Sequence, residues 1–313
     1  MKNHAFLIVT HTFPEQLEDI VKLLDASNHH FFIHVDKKNE KMLSTDPVLR
    51  LIEKANVVFL NPMRVSHGGF SQVAYTVKLL EEAFHCKNCK MDYFHVISGQ
   101  DYPCMSNSDF DAIFEHEDKS YMYFDSPEEI LEYRKHNYPD RINHFNFIDL
   151  HIPFLPDICK KIFIFGLNTV AKLYKRKPTI ELYGGWDWYS WHRSVVAYIL
   201  KFMEDNPRYV KRFHISRASI EVFFHTMLYD KADQLNIEKY NALRFIQWYP
   251  RKGEKLDHHI ASRKNLLRPL VLDEREYDDI VQSGAIFCRK VHPVHSAKLL
   301  ALLKKRICDS AIN

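Results

Sequence analysis

Glu221 is the one carboxylate in an otherwise apolar run, residues 218–228, that reads as a short helix with Val222, Phe223, Phe224 and Leu228 around it. An acid in such company is costly unless it is paired or used, and desolvation would raise its pKa toward the range of a general base. A helix cap is the competing reading, with Ser219 as N-cap and Glu221 as a first-turn acid facing the helix dipole. Asp187, inside the run Gly184–Trp188, is the obvious second carboxylate if the chemistry were a two-acid hydrolysis. Four tryptophans, Trp186, Trp188, Trp191 and Trp248, offer flat surfaces on which a sugar could stack.

A second set of reactive types lies at predicted strand ends. Asp36 closes the run Phe31–Val35 and His11 closes Ala5–Thr10, which puts a carboxylate and an imidazole where an open α/β sheet contacts a nucleoside. In the plainer alternative, Asp36 begins a turn with Lys37 and Lys38 in solvent. The sequence has no P-loop and no GxGxxG, so phosphate binding would fall to cations, and Arg268 and Lys290 are the two late candidates. Two such cations on one diphosphate would neutralise a leaving group without a metal. The single Asp-x-Asp spacing, Asp109 with Asp111, starts a predicted helix after Ser108 and reads as dipole capping. No HExxH occurs, and Cys86 with Cys89 form a lone CxxC, so no required metal is expected.

The elements that must position these residues follow from periodicity. Continuous apolar strands at Ala5–Thr10, Phe31–Val35, Asn56–Leu60 and Tyr93–Ser98 are interleaved with amphipathic helices at Glu15–Ser27 and Ser71–His85. This alternation predicts an α/β fold with a mostly parallel, Rossmann-type central sheet flanked by helices, and its ligands beyond the strand ends. Further on, helices are expected at 108–115, 127–136, 194–204 and 274–283, and strands at 121–124, 243–248 and 285–291. Glycine is scarce, at 8 residues, and two pairs, Gly68 with Gly69 and Gly184 with Gly185, mark turns or close backbone approaches.

Composition narrows the class. With 313 residues, 46% hydrophobic, the chain can build a sizeable core. Its 43 Lys and Arg against 40 Asp and Glu leave a charge of +3, which gives no general grip on nucleic acid. The six cysteines read as reduced thiols and point to the cytoplasm. The opening apolar run is too short for a signal peptide or membrane span. Residues 153–177 combine Phe154, Ile162, Phe163 and Phe165 with Lys160, Lys161, Lys172 and Lys175. Such a stretch is either a lid over the core with snorkelling lysines or a peripheral contact with the inner face of a membrane.

Taken in order, eight segments resemble the core-2/I-branching β-1,6-N-acetylglucosaminyltransferase family, which includes the protein xylosyltransferases. They are Ala5–His11, Phe32–Lys37, Ser66–Ser71, Ile97–Pro103, Gly184–Trp188, Glu221–Thr226, Leu243–Trp248 and Ile286–Lys290. The resemblance implies a GT-A-like fold and metal-independent, inverting transfer from a UDP-sugar, with Glu221 as the catalytic base. Carried over by position, Val9, His11 and Asp36 would hold the uracil end, and Arg268 with Lys290 the diphosphate. Asp101, Trp186 and Asp187 would line the sugar site, Trp248 would stack on the acceptor, and Asp125 and Arg141 would lie on the acceptor side. The family often has Trp where His67 stands and an acid where Ile220 stands, and the segments at 184–188 and 221–226 look closer to the xylosyltransferase branch. The reading is of one domain, 1–313, with a nucleotide-binding half at 1–104 and an acceptor-binding, catalytic half at 105–313. It takes N-acetylglucosamine as the donor sugar, with xylose second, and a glycan or lipid-linked glycan as acceptor. A carbohydrate-binding protein that has lost turnover is the alternative from another class.

Overall fold

Period-two alternation in a strand buried on both faces sends neighbouring side chains into two different cores, and β1 (His4–Thr10) does this throughout. Ala5 and Leu7 enter one apolar cluster, while Phe6 and Ile8 enter the other. The computed structural model describes residues 1–11, 14–42, 53–129, 141–142, 144–152, 155–171, 173–174, 180–248 and 269–310.

β1 lies between β2 (His29–Val35) and β4 (Tyr93–Ser98), and β2 is flanked by β3 (Asn56–Phe59), all in parallel. The sheet order is β3-β2-β1-β4-β7-β6-β8, in which β6 is Ser120–Tyr123, β7 Ser190–His192 and β8 Ile237–Glu238. β7 runs antiparallel to both β4 and β6, so the parallel Rossmann-type half is extended by a mixed half. Two-residue β9 (Tyr240–Asn241) pairs with β6. A second sheet of three short strands joins β10 (Arg244–Ile246) to β11 (Phe287–Arg289) in parallel and β11 to β5 (Asp101–Pro103) antiparallel.

Helices cover both faces of the large sheet. The helix Pro14–Leu23 buries Leu17, Ile20 and Val21 on the Phe6 side, joined there by Leu299 and Leu303 of the helix Ala297–Ser310. The opposite face is covered by Ser71–Phe84, through Val73, Val77 and Leu80, and by Arg193–Asp205, through Val195, Val196 and Ile199. This is the mostly parallel α/β sheet between helix layers that the sequence pattern implies.

The first four strands and the helices at Ser71–Phe84 and Arg193–Asp205 lie close to their expected bounds. The expected helix 274–283 is a 3-10 turn, Glu274–Glu276, followed by Tyr277–Ser283, with a full capping box on Asp273 and Glu276. The expected helix 127–136 is described only as far as Glu129. Within the stretch 153–177 the described helix, Asp157–Ala171, departs from a lid: it buries Ala171 and half-buries Ile164 and Leu167 but leaves Ile162, Phe163 and Phe165 exposed, so the face carrying these three does not cover a core.

Candidate active site

The ends of β1 and β2 hold the first group. The Asp36 amide donates to the Thr10 carbonyl at 3.1 Å, while its carboxylate accepts from the Lys38 amide at 3.0 Å and pairs with the Lys38 ammonium at 3.2 Å. Lys37 in turn donates its amide to the Met63 carbonyl at 3.1 Å. Asp36 is therefore a buried knot joining two strand ends to the 63–65 loop, more than the start of a free turn. His11 stands across from it, its imidazole pKa lowered by desolvation, with Asp36 opposing and Lys290, Lys38 and His67 adding to the effect. Asp36 and Lys290, from two distant segments, thus both act on the charge of His11. Val9 is half-buried on the same strand, opposite Ser98 of β4. Arg268 lies outside the described residues.

Glu221 needs a correction. The aromatic neighbours Phe223 and Phe224 are wholly buried, but the Glu221 side chain is 41% exposed and forms an ion pair with Arg141. Its position in the first turn of Ile220–Leu228 explains this, because a side chain at that end projects beyond the packed turns. The cap reading also fails in part: Ser219 has helical dihedrals and makes no side-chain cap, its hydroxyl being engaged with Ser216 at 2.9 Å. Two loops fix the helix start instead. Ala218, at φ 49°, donates its amide to the Gly68 carbonyl at 2.7 Å, and Arg217 donates to the Arg141 carbonyl at 2.9 Å. Gly68 itself has φ 80°, and Gly69 sits where a Cβ would meet the Asp149 carboxylate at 2.2 Å. Asp149 accepts from both the amide and the hydroxyl of Ser71, at 2.8 and 2.7 Å. The first glycine pair therefore lets three loops converge where Arg141 meets Glu221.

The second glycine pair brings backbone against the side of this helix. The Gly185 amide donates to the Glu221 carbonyl at 3.1 Å, and a Cβ there would lie 1.9 Å from the Tyr123 carbonyl oxygen and 2.6 Å from His225 Nε2. His225 Nε2–H donates to the Tyr123 carbonyl at 3.1 Å, and desolvation lowers its pKa to about 3, against the backbone bonds to Tyr123 and Trp186. The ring is a neutral strut. Trp186 then stacks on Tyr123 at 4.1 Å between centroids and tilts against Trp248 at 6.0 Å, so two of the predicted aromatics form one surface.

Asp101 also needs a correction, because it is wholly buried and reaches no open surface. Both its oxygens accept from Arg289 Nη1, at 2.9 and 2.7 Å, and Oδ2 also accepts from the Ser98 amide and hydroxyl at 2.7 and 2.6 Å. The Arg289 guanidinium lies 3.4 Å from the Trp188 ring centroid. Asp101 thus fixes Arg289 against Trp188 and is a positioning residue. Arg289 was not among the expected site residues, although it stands next to Lys290, and Trp188, expected as a surface for a sugar, carries the Arg289 guanidinium instead.

Asp187 is the most perturbed acid of the site. Burial first, then the Glu221 carboxylate, push its carboxyl well above the usual range, against the pull of Arg289 and Arg141. Its Oδ1 is buried with no hydrogen-bond partner, as is the hydroxyl of Tyr189. Asp187 also raises the phenol of Tyr75, which burial alone already pushes up. Such orphaned groups are costly in a closed core and fit a surface that a polar ligand completes. Asp125 is buried nearby, its amide on the Gly184 carbonyl at 2.9 Å, and it adds a smaller repulsion to Asp187. Among the described residues, no group of three or more His, Cys, Asp or Glu is arranged to hold a metal ion.

Acids, cations and stacked aromatics meeting beyond the strands of a mostly parallel α/β sheet define the class of site. The sequence profile of the Core-2/I-Branching enzyme family matches residues 4–269, and the chain belongs to that family. Xylosyltransferase sqv-6 of Caenorhabditis briggsae is 24% identical over 246 residues, covering 76% of this chain and 27% of that protein. Xylosyltransferase 1 of Homo sapiens is 25% identical over 264 residues, covering 82% of this chain and 25% of that protein. The chain therefore spans about a quarter of the length of these relatives. Among solved structures, the galactosyltransferase LgtC in complex with donor and acceptor sugar analogs matches with a TM-score of 0.43. It is 10% identical, with 98% of this chain and 95% of that one covered.

Proposed function

We propose that this chain is an inverting glycosyltransferase that moves a sugar from a UDP-sugar to a hydroxyl of a glycan acceptor. The observation that carries the reading is the Glu221 carboxylate, partly exposed, paired with Arg141 and close enough to the half-buried acid Asp187 to raise its pKa. In this scheme Glu221 takes the proton of the acceptor hydroxyl while that oxygen attacks the anomeric carbon, and the bond to UDP breaks on the opposite side. Asp187, carrying its own proton, donates a hydrogen bond to a donor-sugar hydroxyl, which satisfies its buried oxygen. Lys290, with Arg268, takes the charge of the departing diphosphate without a metal. His11 and Asp36 face the uridine, and the Trp186–Trp248 surface receives the acceptor sugar.

N-acetylglucosamine is the donor sugar proposed from the resemblance to the core-2/I-branching family. The curated relatives are xylosyltransferases, and this observation favours UDP-xylose as the second reading. Thermal stabilisation by a panel of UDP-sugars separates the two. A ligand at 100 times its dissociation constant stabilises by roughly 2.7 kcal/mol, and the true donor should exceed UDP alone. Stabilisation by no UDP-sugar would remove the donor assignment. Binding without transfer to any acceptor would leave the carbohydrate-binding alternative, and loss of transfer in EDTA restored by manganese would remove the metal-free clamp.

A further inference from the structure

The exposed apolar surface of this protein is concentrated in one place that the transfer chemistry does not use. Of the 14 large hydrophobic side chains exposed among the described residues, 9 fall between 150 and 174. On the helix Asp157–Ala171 they include Ile158 at 70%, Ile162 at 66% and Phe165 at 74% exposure, and the turn after it adds Leu173 at 80%. Scattered single exposed apolar residues need no explanation, but a contiguous patch on one helix does.

The sequence of this stretch is one-sided in charge. Between 155 and 177 the sequence has Lys160, Lys161, Lys172, Lys175, Arg176 and Lys177 against one acid, Asp157, in a chain otherwise nearly balanced. A water-facing helix in such a chain would mix both signs, and a protein partner would be chosen by shape. Exposed apolar side chains on a helix that also carries Lys160 and Lys161, in a basic stretch of sequence, match an acyl boundary beneath anionic headgroups. The 15 residues of the helix span about 22 Å at ~1.5 Å per residue, which is short of a bilayer core, so the helix would lie in the surface plane. No helix among the described residues is long and apolar enough to cross a membrane.

The inner side of the helix ties it to the site. Asn168 Oδ1 accepts from the Phe147 amide at 2.9 Å, and the segment at 144–150 also carries Asp149, which holds Ser71. The Asn146 amide is bonded to the Ile215 carbonyl at 2.7 Å, just ahead of the loop that fixes Arg141 and the start of the Glu221 helix. A surface held by this helix would therefore lie on the Arg141 side of the site.

We propose that the helix Asp157–Ala171, with the turn that follows, docks this protein peripherally on an anionic lipid bilayer, Ile158, Ile162 and Phe165 entering the interface and Lys160 and Lys161 meeting the headgroups. Vesicle flotation of the full chain tests it, comparing phosphatidylcholine alone with phosphatidylcholine plus phosphatidylglycerol. Binding is expected to the anionic vesicles only and to weaken with added salt. Phe165→Ala should reduce it roughly ten-fold or more and Lys161→Ala about five-fold, with melting temperature and UDP-sugar binding unchanged. If Phe165→Ala does not fold, Lys161→Ala carries the test. Equal binding to neutral vesicles, or anionic binding that neither substitution alters, would overturn the proposal. So would failure to bind vesicles, including the case where Phe165→Ala abolishes self-association and a second copy covers the face. Donor binding is measured separately, so loss of the glycosyltransferase reading and loss of the membrane reading give different results.

Discussion

Replacing Asp101 by alanine should do more damage than its distance from open solvent suggests. The side chain is 0% exposed and its partner Arg289 is 8% exposed, so the substitution strands a guanidinium away from water. It also removes the acceptor for the Ser98 amide and hydroxyl. Breaking a buried ion pair from one side costs about 3–5 kcal/mol, and each abandoned donor adds roughly 1 kcal/mol where water cannot reach it. The cation resting on Trp188 returns part of this, so we expect a net loss of about 4 kcal/mol. In a chain of this size that is a drop in melting temperature on the order of 10 °C. Urea unfolding of Asp101→Ala, Arg289→Ala and the double variant gives the coupling directly. The double variant should be less destabilised than the sum of the singles by about 2 kcal/mol or more. Asp101→Asn, which keeps an acceptor for Ser98, should lie between wild type and Asp101→Ala. Additive single effects, or a loss under about 1 kcal/mol, would refute the positioning role assigned to Asp101.

Gly185→Ala should destabilise severely, by about 3 kcal/mol or more in urea unfolding, because its Cβ would sit 1.9 Å from the Tyr123 carbonyl. Gly166→Ala, with nothing within 4 Å of the added carbon in mid-helix, should instead stabilise by about 0.5–1 kcal/mol; equal effects at the two sites would contradict the packing described. Acid should unfold the protein early. His4 and His225 are held down to about 3 and His34 to about 4, from 6.5, chiefly by burial. All three are 0% exposed, so between pH 6.5 and about 4 the unfolded chain binds protons the folded chain refuses. Stability is retained above 6.5 and falls as pH drops below it, by up to about 1.4 kcal/mol per pH unit for each ring. Circular dichroism should place the acid midpoint between about pH 4 and 6, and a native signal unchanged at pH 4 would count against the neutral buried rings.

Much of the sheet was legible because a strand buried on both faces writes a continuous apolar run, as in Ala5–Val9 and Phe31–Val35. The glycine pairs were legible for a similar reason: with 8 glycines in the chain, adjacent pairs mark places where a Cβ cannot stand. Strands β5 and β7 were not, since three residues carry no period, and pairing with β11 and β4 decides them. The helix Ala297–Ser310 is absent from the expected elements although Leu299, Leu303 and Ile307 recur every fourth residue. At the site, the strand-end rule led to Asp36 and the family resemblance to Asp101, but a partner far along the chain, Arg289, holds Asp101 inward. Glu221 misled in the opposite sense. A nine-residue helix apolar nearly all round suggests burial on every side, whereas its first turn opens toward Arg141, which the sequence gives no means of placing there.

The central claim is that Glu221 removes the acceptor proton. The direct measurement is transfer by Glu221→Gln with the UDP-sugar that binds best, alongside its donor affinity and melting temperature. General-base loss is worth about 10²–10⁴ in rate, so turnover should fall by that factor while donor binding and stability stay close to wild type. Turnover within a few-fold of wild type, in a folded variant that binds donor normally, would contradict the account.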